Sequence, residues 1–340
     1  MDCRLPENRK PYFDKLYDMN LRHGVLPGLV YLYMPELAKQ YNWDDETKLW
    51  FAFLNGNTQN PITSMQILEQ LPECPKADDE LTSFTDWFND CWKQLQFDTD
   101  RKYQKKDLIP SIKCYAKLVA EHGTQAEMLS PTKSYTELWD LVYNKYYTFG
   151  RLSSFSYLEY VYLNGFGTDC DDLLFQDKSG SKSHRNGMLF LLCRDDIVWD
   201  KRLPNGFDGS YTKDDYDMVK NEASKYLQEF SANNPDLNYI GNFTMESCMC
   251  TFKNHFFGHR YPGVYADMAW ERIVRADNYG LLHITKIFKD MRMKLLPEWL
   301  RMEAESGLFG SIKDRAMIFT VDGFPSVSYT HLTLPTSDLV

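Results

Sequence analysis

Between Asp177 and Gly187 the chain reads Asp-Lys-Ser-Gly-Ser-Lys-Ser-His-Arg-Asn-Gly, a run that crowds three kinds of polar group into one stretch. Lys178, Lys182 and Arg185 are cationic donors, His184 is a titratable imidazole, and Ser179, Ser181 and Ser183 carry hydroxyls. Ionised donors form strong, charge-assisted bonds to phosphate oxygens and offset the charge of a departing anion, so this set suits phosphate or pyrophosphate recognition. Its glycines would let the backbone come close to a ligand. A solvated loop has the same composition. The apolar run Met188–Leu192 that follows directly argues for anchoring, so both readings stand.

A second cluster runs from Glu246 through Lys253 and His255 to Arg260, Tyr261 and Asp267. On a helix Glu246, Cys250 and Lys253 lie near one side, because seven residues make almost two turns. Glu246 or Asp267 could deprotonate an incoming amine, and Lys253 and Arg260 could hold a charged leaving group. Ordinary surface charges and i, i+4 pairs explain the same residues. Two smaller sets remain. Asn55, Asn57, Gln59 and Asn60 offer amides able to read a base edge or grip a sugar-phosphate, or simply to cap a helix and close a turn. Arg151 and Ser153, following Gly150, would stand at a helix start where backbone amides can face a phosphate, with Ser153 or Ser154 as cap.

Positioning these groups falls to helices. Three- and four-residue apolar steps predict helices over Asp44–Leu54 (stopping at Asn55-Gly56-Asn57), Ile62–Leu71, Phe84–Leu95, Leu108–His122 and Tyr135–Tyr147. Further helices are predicted after Gly150, around Tyr216–Phe230, and over Glu246–Phe257, Tyr265–Arg275 and Leu281–Leu295. Strand patterns are few, and no GxGxxG or Walker sequence occurs. The fold class expected is mainly α. Residues 1–28 read as a polar lead, and 29–326 as a helical catalytic domain with a candidate lobe divider in the turn-rich stretch 201–211. Val327–Thr336 reads like a translated sequencing adaptor, so 327–340 are left out of the fold expectation and the natural chain is expected to continue differently.

Composition narrows the classes. Apolar residues make up 43% and charged residues 25%, which is globular composition rather than disorder. No apolar run is long enough for a membrane span, and a soluble protein is expected. A net charge of −10 argues against a protein that coats nucleic acid, although RKYQKK at 101–106 and the basic balance after Glu246 leave room for one positive groove. The eight cysteines are scattered and read as free thiols. His255 and His259 are four apart without an HExxH arrangement, so no metal ligand set is assigned; a divalent cation such as magnesium stays open as a companion of pyrophosphate.

Taken together, WFAFLNGNTQNP at 50–61, FGRLSSF at 149–155, DKSGSKSHRNG at 177–187 and ESCMCTFKNHFFGHRYPGVYADMAWERI at 246–273 resemble the amino acid:DNA transferase family. These are also called alpha-glutamyl/putrescinyl thymine pyrophosphorylases, and belong to bacteriophage thymine hypermodification. The resemblance implies a helical bilobal fold similar to helix-hairpin-helix DNA glycosylases. It also implies a reaction on 5-pyrophosphoryloxymethyluracil in double-stranded DNA, in which an amine from an amino acid or polyamine displaces pyrophosphate. Its expected setting is the host cytoplasm, downstream of a DNA base kinase. Carried onto these residues, it makes Lys182, Arg185 and Asn186 pyrophosphate contacts together with Lys253, Arg260 and Tyr261. Glu246, Asp267 and His184 become catalytic candidates, and Asn55, Asn57, Gln59, Arg151 and Ser153 become DNA contacts. The Leu-Pro-Gly-Val-Gly hairpin of the glycosylases is absent, which makes base excision the alternative. A non-catalytic nucleic-acid-binding protein is the other.

Overall fold

The computed structural model describes residues 2–170, 183–197 and 212–301, and among them the regular structure is helical throughout. In chain order the helices are α1 (Pro6–His23), α2 (Val30–Gln40), α3 (Asp45–Thr58), α4 (Pro61–Gln70), α5 (Thr82–Asp90), α6 (Leu108–His122) and α7 (Gln125–Met128). There follow α8 (Tyr135–Lys145), α9 (Arg151–Leu163), α10 (Ser183–Leu191), α11 (Lys213–Asn233), α12 (Asn242–Phe256), α13 (Val264–Asn278) and α14 (Leu282–Leu295). None is long and apolar enough to cross a membrane.

Several starts follow local chemistry. Asp44 caps α3 by accepting the Thr47 amide, and Asn60 caps α4 ahead of Pro61 by accepting the amides of Ile62 and Thr63. Ser134 and Glu137 form a capping box on α8. The cap on α12 comes from elsewhere: the Asp169 carboxylate accepts the backbone N–H groups of Asn242 at 2.7 Å and Phe243 at 3.0 Å. A side chain on Gly241 would meet that carboxylate at 2.5 Å.

Helix α3 does not stop at Asn55-Gly56-Asn57 as expected. It runs through Gly56 to Thr58 and turns at Gln59, which takes a left-handed φ of 53°. Gly56 serves packing instead, since a Cβ there would lie 3.3 Å from both the Phe149 ring and Tyr157. Behind it Phe53 stacks on Tyr115 with centroids 3.8 Å apart.

The helices form two groups. One is α3, α4 and α6 to α9; the other is α12 with α1 and α10, and α11 packed on α10. Helices α13 and α14 pack on each other and against α4, and α2 packs against α9 and α14. Two expectations about organisation are corrected. Residues 1–28 are no lead: α1 buries Tyr12, Phe13, Leu16 and Tyr17 in the core, with polar links to α12 from Tyr17 to Thr244 (2.9 Å) and Tyr12 to His255 (2.9 Å). The two groups are also not consecutive halves, because α1 and α10 precede 201–211 yet pack on α12; that stretch itself lies outside the described residues.

Candidate active site

A cleft of about 430 Å³ is lined by α9, α12 and α13. One wall is α9, contributing Arg151, Phe155, Ser156, Glu159 and Tyr160; the other is α12 and α13, contributing Glu246, Cys250, Asn254, Tyr265 and Arg272, with Arg260 between them. Gln59, Thr99, Pro27, Gly28 and Ser183 also line it.

Helix α12 brings Glu246 to the cleft with its side chain 12% exposed. His184 Nδ1 lies 3.1 Å from Glu246 Oε1, and Arg151 Nη2 lies 3.7 Å from the same oxygen. His184 is fully buried, and burial outweighs the pull of Glu246, so its pKa sits below the ordinary 6.5. A neutral ring making that contact carries its proton on Nδ1 and donates it. His184 thus stands against Glu246 and does not itself line the cleft.

The neighbouring residues correct the loop expectation. From Ser183 onward the segment is helix α10, in which Arg185 is 2% and Asn186 6% exposed, and neither lines the cleft. Gly187 serves contact with α12: a Cβ there would lie 2.2 Å from the Met249 carbonyl oxygen. Its lack of a side chain lets two helices touch, not a ligand approach. Lys182, with the rest of 177–182, lies outside the described residues.

The amide cluster also turns inward. Asn55 and Asn57 are 0% and 1% exposed, which leaves them no surface for DNA. The Asn57 side chain accepts from Arg101 Nη2 at 3.1 Å, and Arg101 also donates to the Asn57 carbonyl at 3.1 Å and the Thr148 carbonyl at 2.7 Å. Arg101 thereby ties the end of α3 to the turn before α9; burial brings its pKa down to about 10, and it is no part of a basic surface run. Ser153 is fully buried and donates to Asp100 at 3.3 Å; Gly150, not Ser153 or Ser154, occupies the cap position of α9. Gln59 does reach the cleft, its Oε1 accepting the Tyr160 hydroxyl at 2.9 Å.

Of the later candidates, Arg260 lines the cleft and forms no hydrogen bond or ion pair with another described residue. Lys253 does not line it and lies 6.0 Å from the Phe257 ring centroid. Asp267 is 2% exposed and accepts the Tyr261 hydroxyl, so these two form a buried pair behind the wall. Neither of these two, one expected as a catalytic group and the other as a pyrophosphate contact, lines the cleft.

Two cleft residues escaped the sequence reading. Arg272 on α13 is held by Asp98, whose Oδ2 is 2.6 Å from its Nε. Glu159, in the middle of α9, is 5% exposed, and its Oε1 accepts the Tyr31 hydroxyl at 3.0 Å. Burial pushes its carboxyl up to about 8 against the pull of Tyr31, and the negative charges of Glu246 and Asp169 add to the rise. One signal was present: a lone carboxylate in the otherwise apolar run Tyr157–Leu163 is a costly placement, and such placements gather at functional sites. Cys250 also lines the cleft, but burial pushes its thiol up to about 11, so it is no thiolate nucleophile at neutral pH. Among the described residues no group of three or more His, Cys, Asp or Glu could hold a metal ion.

Residues 30–261 match the family model described as amino acid:DNA transferase, a span that takes in Gln59, Arg151, Glu159, Glu246 and Arg260. A curated relative, the serinyltransferase of Salmonella phage ViI, is 29% identical over 273 residues, which cover 76% of this chain and 66% of the relative. The chain thus spans just under two thirds of that relative's length. No solved structure matches the chain significantly.

Proposed function

The chain belongs to the amino acid:DNA transferase family, and from that premise we propose that it replaces the pyrophosphate of 5-pyrophosphoryloxymethyluracil in DNA with an amine from an amino acid or polyamine. The observation that carries this reading is the charge pattern of the cleft. Two carboxyls, Glu159 and Glu246, share about 430 Å³ with Arg151, Arg260 and Arg272. A displacement of this kind needs both signs: cations for the anionic leaving group and carboxyls for the amine.

The volume suits a small ligand and not a duplex, so the modified base has to leave its stack to reach the cleft. Arg260, which has no polar partner among the described residues, is the anion clasp. Arg151 supports Glu246 and also faces the cleft, while Arg272 is tethered by Asp98 and supplies fixed charge. Serine heads the list of amines to try, because the phage relative is named a serinyltransferase. On this reading the partners are double-stranded DNA carrying the modified base, the amine, and an upstream DNA base kinase, in the cytoplasm of a phage-infected cell.

The test is intact-mass analysis of nucleosides after incubating 5-pyrophosphoryloxymethyluracil DNA with the protein, amino acids and polyamines. A nucleoside whose mass shows amine substitution, with pyrophosphate released, supports the assignment and identifies the amine. Free base and abasic sites would indicate excision instead. Unchanged DNA, in an assay where the same DNA is a substrate for another family member, would refute it.

A further inference from the structure

An amine attacks carbon through its lone pair, and in neutral water an aliphatic amine carries a proton on that pair. Some group in the cleft has to take it. Glu246 already faces a guanidinium and an imidazole N–H, at 3.7 and 3.1 Å, so its Oε1 is engaged by two groups of the protein. Asp267 is behind the wall, bonded to Tyr261. Glu159 differs from both: it lines the cleft, Tyr31 occupies only Oε1, and Oε2 takes no hydrogen bond from the described residues.

We propose that Glu159 is the group that accepts the proton from the ammonium form of the substrate amine, while Glu246, backed by Arg151 and His184, holds that amine in place. The role rests on the transferase reading above. In the first step an N–H bond of the ammonium breaks and its proton passes to the Glu159 carboxylate, leaving a neutral amine. The nitrogen lone pair then forms the C–N bond at the 5-methylene carbon as the C–O bond breaks, and pyrophosphate leaves with that electron pair. The secondary ammonium so formed loses its second proton to solvent or to the departing pyrophosphate.

The surroundings of Glu159 fit a base. Tyr31 reaches it from α2, Glu246 acts on it from α12, and Asp169 from the turn after α9, with Arg151, Arg260 and Arg272 sharing the cleft. Tyr160, Cys170 and Cys248, also close in charge terms, stay neutral because burial pushes each of them up. A general base is most effective when its proton affinity is near the working pH, and burial brings Glu159 to about 8. An arriving ammonium favours the ionised carboxyl, so substrate entry itself readies the base.

The test is single-turnover transfer from pH 6 to 9 with wild type and E159Q, using the amine that the mass assay returns and, in parallel, methoxyamine. Methoxyamine is neutral throughout that range and needs no base. The expected result is a rate for the natural amine that climbs with pH in wild type. E159Q should be slower by about 100-fold or more, without that climb. Transfer to methoxyamine should survive in E159Q within a few-fold of wild type, which a merely misfolded variant would not allow. Wild-type behaviour of E159Q, or equal loss with both amines, overturns the role. Absence of any adduct from wild type overturns the transferase reading and this role with it, an outcome distinct from either.

Discussion

Replacing Glu159 by Gln should make the folded protein more stable, and increasingly so as pH rises. The carboxyl is 5% exposed and raised from the ordinary 4.5 to about 8, chiefly by burial. Below pH 4.5 it is protonated in both the folded and the unfolded chain and contributes no pH dependence. As pH climbs above 4.5 the unfolded chain loses the proton while the folded chain keeps it, so stability falls until about pH 8 and then levels. At about 1.4 kcal/mol per pH unit, the full gap amounts to roughly 5 kcal/mol, against a total stability on the order of 5–15 kcal/mol for a folded domain. Gln keeps the shape, and its carbonyl can still accept the Tyr31 hydroxyl, but it never ionises. Urea unfolding followed by tryptophan fluorescence, for both proteins between pH 4.5 and 9, reads the difference directly if the m values agree. The advantage of E159Q should be near its minimum at pH 4.5, about 2 kcal/mol larger at pH 6, and at a plateau above pH 8. Parallel stability curves across that range would refute the argument that the fold holds Glu159 at a cost.

Y31F removes the one hydroxyl that favours the ionised Glu159. The rising limb of the transfer rate should therefore move to higher pH, and an unmoved limb would detach Tyr31 from the chemistry. Arg260 makes no polar contact within the described structure, so R260A should leave the melting temperature nearly unchanged while weakening the anionic substrate by about 10- to 100-fold in KM, the range for one lost charge-assisted bond. Unaltered KM would move the anion elsewhere. G187A forces a methyl to 2.2 Å from the Met249 carbonyl oxygen; separating α10 from α12 should cost about 1–3 kcal/mol or more, read by thermal unfolding. D169A strips the cap from two amides of α12 and should cost about 1–2 kcal/mol, while D169N, which keeps one acceptor, should recover part of it.

Helices whose apolar steps stand against a polar background were legible in the residues. α6 begins and ends as expected, and Asp44, Asn60 and Pro61 mark the starts of α3 and α4. The reading failed where burial and polarity part company. In α1 the prolines at 6 and 11 and the charged residues around them hid the apolar set Tyr12, Phe13, Leu16 and Tyr17, and even Arg9 of that helix is 2% exposed, bonded to Asp195 at 2.6 Å. In α10 the residues His184, Arg185 and Asn186 read either as a solvated loop or as ligand contacts, yet all are buried, His184 against Glu246, a partner far along the chain that no local window reveals. The site shows the same division. Glu246, Arg151, Arg260 and Gln59 were picked from their types and do reach the cleft. Glu159 and Arg272 were not, because only the fold sets α9 across the cleft from α12 and α13.

The clasp of α1 on α12 carries a consequence for synthesis. Tyr17 and Thr244 are 227 residues apart, so the first helix emerges from the ribosome long before its partner exists. At about 5–20 residues per second the wait is on the order of ten to fifty seconds. Throughout it Tyr12, Phe13, Leu16 and Tyr17 form an uncovered greasy ridge, and nascent chains stalled in that window would expose it to one another. One wall of the cleft is likewise the last to be made. Translation thus yields α9 with its buried-to-be carboxylate still in water, and the cleft around Glu159 is complete only after α12 and α13 have left the tunnel.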